Sequence, residues 1–127
     1  MRAIISLLTI VSCLLSGGSS LYGQTQMEMN AIAAADFQNA DVRLNSVYKK
    51  VLSRNASNRE FCSDLREAQR AWIRFVDFHM KTLFPLKEGE NPREVYGSIF
   101  FLEFDTGKTE LFNQRIRQLE GFLHDGR

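Results

Sequence analysis

The chain has 127 residues, with 16 Lys and Arg against 15 Asp and Glu and a formal net charge of +1. A balance so near neutrality makes no strong field toward nucleic acid or an anionic membrane surface, and neither is expected as a partner. The only cysteines are Cys13 and Cys62, too few for a disulfide scaffold if one of them is removed in processing.

The first element is a targeting segment rather than part of the fold. Arg2 supplies a positive start, residues 3–15 are apolar except for Ser6, Thr9 and Ser12, and residues 16–20 form a small polar exit. The run falls short of the roughly 20 apolar residues that span a bilayer, so no transmembrane segment is expected. Residues 1–23 are read as a signal peptide cleaved after Gly23, with residues 24–127 as the mature domain, periplasmic or secreted. An alternative uses Cys13, since Ile10-Val11-Ser12-Cys13 fits the pattern of an acylated lipoprotein cysteine. Leu14 and Leu15 continue the apolar run past it, which favours an ordinary hydrophobe inside the segment.

The mature part, about a hundred residues, can bury one modest core and is expected to form one domain. Ala33, Phe37, Ala40, Leu44, Val47 and Val51 recur at steps of three and four, which predicts an amphipathic helix over residues 25–53. Thr25 and Glu28 have capping-box spacing at its start. Ser57 and Glu60 repeat that spacing before a second stripe through Phe61, Leu65, Ala68, Trp72, Phe75 and His79, predicting a helix over residues 58–83. A neighbouring stripe through Cys62, Gln69, Ile73, Val76 and Met80 widens its apolar surface, and this middle helix is expected to sit centrally between the other two. Pro85, Gly89, Pro92 and Gly97 mark residues 84–98 as the single long loop.

The last apolar stretch runs from Ile99 through Phe104 and resumes helical spacing at Leu111 or Phe112, Ile116, Leu119 and Phe122 or Leu123. One helix over residues 95–123 is favoured. Phe100 and Phe101 could also begin a strand, but an isolated strand has no partner. Gly107 inside the helix costs only about 1 kcal/mol relative to alanine. The expected fold is all-α, an antiparallel three-helix bundle.

Three patches carry a family resemblance: Thr25-Gln26, Met29-Asn30, Ala40-Asp41, Leu44-Asn45 and Tyr48; then Ala68-Gln69-Arg70-Ala71-Trp72-Ile73, Phe75 and Asp77; then Gly97-Ser98-Ile99 with Arg115 and Leu119. In this order the chain resembles the LprI-type lysozyme-inhibitor-like family of exported bacterial domains. The resemblance implies a small helical domain outside the cytoplasm and a lysozyme-like glycosidase as partner. Many relatives have cysteines where this chain has Ile32, Met80 and Lys108, and an arginine where it has Val76, so that Asp77 lacks an adjacent base.

Read physically, the matching polar residues are mostly structural. Asp41, Asn45 and Tyr48 share one narrow helix face, since four residues advance about 400° and three about 300°. With Gln69, Asp77 and Arg115 they are expected to form a hydrogen-bonded network that fixes helix register, the alternative being a binding surface. Trp72 is read as the core anchor of the middle helix.

Other chemistry is not expected. His79 and His124 lack ligand partners at helical spacing, so neither a metal nor another cofactor is implied. Cys62 reads as a buried small hydrophobe. No local pattern marks a nucleophile or a phosphate loop, which argues against an enzyme. The sequon Asn55-Ala56-Ser57 is read as chance. Within the long loop, Lys87, Arg93 and Tyr96 offer cations beside an aromatic ring and are the candidate partner-binding residues, the alternative being that the loop merely spans the bundle. Two functions remain open: a protein-binding module that inhibits a lysozyme-like glycosidase, and a cell-envelope interaction or structural domain without inhibitory action.

Overall fold

The structure, a computed structural model, describes residues 18–124, and side chains from Tyr22 onward. Most of the expected signal segment, with Cys13, lies outside the described residues. Three long helices and one short one follow in order: α1 (Gly18–Arg54), α2 (Arg59–Leu83), α3 (Pro92–Tyr96) and α4 (Phe100–His124), with no strand among the described residues. The protein is thus all-α, as its periodicity predicts.

Helix α1 is already formed at Gly18, the first described residue, so it does not start at Thr25. Thr25 and Glu28 lie inside it, where the N–H groups that a capping box would take already bond one turn back. Nothing between Gly18 and Thr25 forbids helix, since the stretch lacks proline and Gly23 is only mildly unfavourable. The cap of α2 is also displaced by one residue. Asn58, not Ser57, is the N-cap, and its side-chain oxygen accepts from the Phe61 N–H at 3.0 Å. Asn caps at least as well as Ser, so both patterns were chemically available.

The segment expected as a bare loop contains α3. Asn91 caps it by accepting from the Arg93 N–H, Pro92 stands in its first turn, and Gly97 ends it at φ 78°, ψ −169°. That conformation is essentially reserved for glycine. It separates α3 from α4, so the expected single helix over 95–123 breaks at Gly97 and restarts at Phe100. No strand forms at Phe100 and Phe101.

The three long helices run up, down and up, so α1 and α4 are parallel to each other and α2 is antiparallel to both. Asn30 on α1 donates to Ser98 O at 3.1 Å near one end; at the other, Arg54 donates to Leu123 O at 3.0 Å, satisfying a carbonyl at the end of α4. The closest backbone approach is between α1 and α4, not around α2. Small side chains explain it: Ala33 and Ala40 are buried on α1, Ala33 lining a shallow hollow with Leu102 and Thr106 of α4 and Ala40 another with Thr109 and Asn113. Helix α2 stands off by the width of aromatic rings, with Trp72 edge-on to Phe112 and Phe61 edge-on to Phe122. The expectation that the middle helix is central is therefore corrected.

Leu44 and Val51 from α1, Leu65 from α2, and Ile116 and Leu119 from α4 form the buried core. On α2 the structure selects Cys62, Leu65, Gln69, Val76 and Met80 for burial and leaves Ala68, Ile73 and Phe75 exposed. Cys62 is buried beside the α1–α2 turn, its Sγ 3.2 Å from Asn55 O.

Candidate functional site

The chemistry-bearing residues gather in two places, a polar seam across the middle of the bundle and an apolar cleft at the end where α2 meets α3 and α4.

In the seam, Arg115 on α4 donates from Nε to Gln69 Oε1 on α2 at 3.0 Å and from Nη1 to Gln118 Oε1 at 3.0 Å. Its Nη2 is buried without a hydrogen-bond partner. Burial pushes the Arg115 guanidinium below its usual pKa, because the charged form loses hydration there. On α1, Asn45 donates to Asp41 O at 3.0 Å and to Asp41 Oδ1 at 3.3 Å. Asn45 and Tyr48 line a hollow of about 230 Å³ whose other wall is Arg66, Gln69, Arg70 and Ile73 on α2. Arg70 is paired with Glu67 one turn earlier. Of the six polar residues expected to act together, Gln69 and Arg115 bond across helices and Asp41 and Asn45 bond within one, while Tyr48 borders both Asn45 and Gln69. Asp77, the sixth, stands apart from the seam, in the lining of the cleft. Trp72 is half-buried against the core edge rather than enclosed by it.

The cleft holds about 430 Å³ between α2 and α4. Val76, Met80 and Phe100 are its buried floor, half-buried Phe84 and Phe104 its walls, and exposed Pro85 and Leu86 complete the apolar lining. The rings are mutually braced. Phe84 meets Tyr96 and Phe100 edge-on at 5.6 and 5.4 Å, and Tyr96 stacks on Phe100 at 5.7 Å. The Tyr96 hydroxyl donates to Pro85 O at 2.6 Å, which ties α3 back to the end of α2. Asp77, Lys81 and Lys108 stand at the rim. Lys108 holds its ammonium 3.8 Å above the Phe37 ring, a position set by attraction to the negative face of the ring.

The residues expected to touch a partner divide accordingly. Lys87 and Arg93 are exposed on the connection and form no ion pair among the described residues. Gly89, at φ 81°, and the bond from the Lys87 N–H to Glu90 Oε2 at 2.8 Å shape the turn that carries Lys87. Tyr96 is half-buried in the aromatic cluster, holding the connection in place. Of the positions where the family resemblance implied cysteine, Met80 and Lys108 both border the cleft and Ile32 is exposed on α1; Val76, where it implied arginine, lines the cleft and is 4 % exposed. His79 lies against Phe75, and His124 is exposed in the last turn of α4. No group of three His, Cys, Asp or Glu could hold a metal among the described residues. No helix among them is long and apolar enough to cross a membrane.

Sequence reasoning did not anticipate the cleft. The available signal was Phe100 and Phe104, one turn apart and on the same face of α4, together with Phe84 immediately before Pro85. Their convergence depends on the turn at Gly97, which periodicity cannot foresee.

A protein-family model described as lysozyme inhibitor LprI matches residues 18–119. No curated protein and no solved structure matches the chain.

Proposed function

The chain belongs to the lysozyme inhibitor LprI family, and from that membership we propose that it is an exported protein-binding module that inhibits a lysozyme-like glycosidase outside the cytoplasm. The observation that carries this reading is the extent of the match, which takes in α1, α2, α3 and α4 as far as Leu119. It acts by occupying an active-site cleft rather than by turnover.

The contact is made by the connection over residues 84–98. Glycosidase clefts hold two carboxylates flanking the scissile bond, and a cation is the natural group to place between them. Lys87 and Arg93 are exposed cations on a connection held by Tyr96, Pro85 and the two caps of α3. A segment braced in this way loses little conformational freedom when it docks. With Arg2 removed the mature chain is formally neutral and gains little long-range steering, so association should be only weakly sensitive to salt.

The test is lysis of bacterial walls by a panel of lysozymes with and without purified mature protein. Inhibition of at least one lysozyme is expected, and Lys87→Ala with Arg93→Ala should weaken it tenfold or more without shifting the melting temperature. A stably folded double variant that inhibits fully would move the contact to another face, first to the exposed surface around Asp77. A wild-type protein that slows none of the panel would overturn inhibition and leave an envelope interaction domain as the function.

A further inference from the structure

We propose that the cleft between α2 and α4 binds an amphipathic monoanion, a medium-length fatty carboxylate, with its tail on the phenylalanine walls and its head at Lys81 and Lys108. The inference does not rest on lysozyme inhibition: the two share the braced connection but differ in the charged residues invoked, Lys81 and Lys108 against Lys87 and Arg93, and in the readout.

The volume of about 430 Å³ falls within the range of small-ligand sites, roughly 300–1,000 Å³. The lining is mainly apolar: Val76, Met80, Phe84, Leu86, Phe100 and Phe104. Small-ligand sites take this form, mainly hydrophobic and aromatic with a few polar groups that fix orientation. From Val76 to Phe84 the helix axis advances about 12 Å, which suits an extended acyl chain of medium length rather than a long one. The rings are fixed by their contacts with each other and by the Tyr96 bond to Pro85 O, so the walls are formed before a ligand arrives.

Charge decides the head group. The rim carries two lysines and one aspartate, and neither Lys81 nor Lys108 forms an ion pair among the described residues. Each rests near an aromatic ring instead, Lys108 over Phe37 at 3.8 Å and Lys81 over Phe78 at 5.4 Å. A ring face positions an ammonium without neutralising it, so both remain able to meet a carboxylate. A cationic amphiphile would face two like charges with only Asp77 in its favour. A neutral one would gain the apolar walls alone.

The experiment is titration of the mature protein with decanoate, decanol and decyltrimethylammonium, each below its aggregation concentration, read by amide and methyl NMR shifts. Saturable binding of decanoate is expected, with the largest shifts at Met80, Phe100 and Phe104 and an affinity at least tenfold above that for decyltrimethylammonium. Lys81→Gln with Lys108→Gln should weaken decanoate about tenfold and leave decanol within twofold. If Lys108→Gln disturbs the fold through its contact with Phe37, Lys81→Gln alone should weaken decanoate about threefold. Three results would each overturn the proposal: no saturable decanoate binding, equal affinity for the anionic and cationic probes, or a dimer in sedimentation whose interface covers the cleft.

Discussion

Gln69 is the single buried polar side chain among the described residues, and its Oε1 accepts from Arg115 Nε. The pair is a directional link from α2 to α4, whereas the neighbouring core of Leu44, Val51, Leu65, Ile116 and Leu119 is apolar and carries no directional information. The depressed pKa of Arg115 means that holding the charged form costs free energy in the folded state. Arginine starts so high that it stays protonated in both folded and unfolded chains across the neutral range, so this cost does not vary with pH there. Gln69→Leu should remove the acceptor, leave Nε unpaired and cost roughly 1–3 kcal/mol. In urea the midpoint should fall with an unchanged slope. Adding Arg115→Met removes the stranded donor together with the partnerless Nη2, so the double variant should recover part of the loss. Equal stability of Gln69→Leu and wild type would show that the bond contributes nothing to register.

At the scale of the elements, the order and approximate extent of the long helices were readable from apolar steps of three and four, while their ends were not. The reason is visible at α2. Ser57 and Asn58 are adjacent residues of similar capping strength, each with a plausible N–H two or three positions on, and only the backbone path of the α1–α2 turn selects between them. Asn58→Ala should therefore cost about 1 kcal/mol, against a change within about 0.5 kcal/mol for Ser57→Ala. Thermal unfolding of the two single variants measures the difference directly, and a larger loss at Ser57 would contradict the assigned cap. The break between α3 and α4 escaped for a different reason. Ile99 to Phe104 has helical composition throughout, and Gly97 supplies a stop only because the chain there adopts φ 78°. Composition showed where glycine stood but not which dihedral it would take. The same turn brings Phe84 and Phe100 together, so a site that depends on it was equally hidden, whereas Lys87 and Arg93 could be picked out because loop position and charge are written in the sequence.

For the whole molecule, periodicity implied three amphipathic helices but not which pair would approach most closely. The breadth of the apolar surface on α2 suggested a central place for it. Separation between helices is instead set by side-chain size at the contact, and Ala33 and Ala40 give that place to the α1–α4 pair. One consequence concerns the N-terminal end, where α1 continues beyond the level of Asn30 and its bond to Ser98 O. Gly18 to Met29 adds about 18 Å of helix there, and Tyr22 is 81 % exposed and Met27 71 %. The reading of residues 1–23 as a signal peptide puts the cut after Gly23, inside α1 but within this overhang. A Cβ at Gly23 would meet nothing within 4 Å, so the cut severs no packed contact at that residue. A chain begun at Gln24 and one begun at Gly18 both put an ammonium at the positive end of the helix dipole, an unfavourable effect of about 0.3–1 kcal/mol that largely cancels between them. The core begins further along, at Ala33. A purified chain of residues 24–127 should therefore unfold within about 1 kcal/mol of one spanning residues 18–127. The intact mass of the exported product should correspond to a start at Gln24 with no lipid. A product beginning at an acylated Cys13, or a loss of several kcal/mol on removing residues 18–23, would show that the overhang belongs to the working domain.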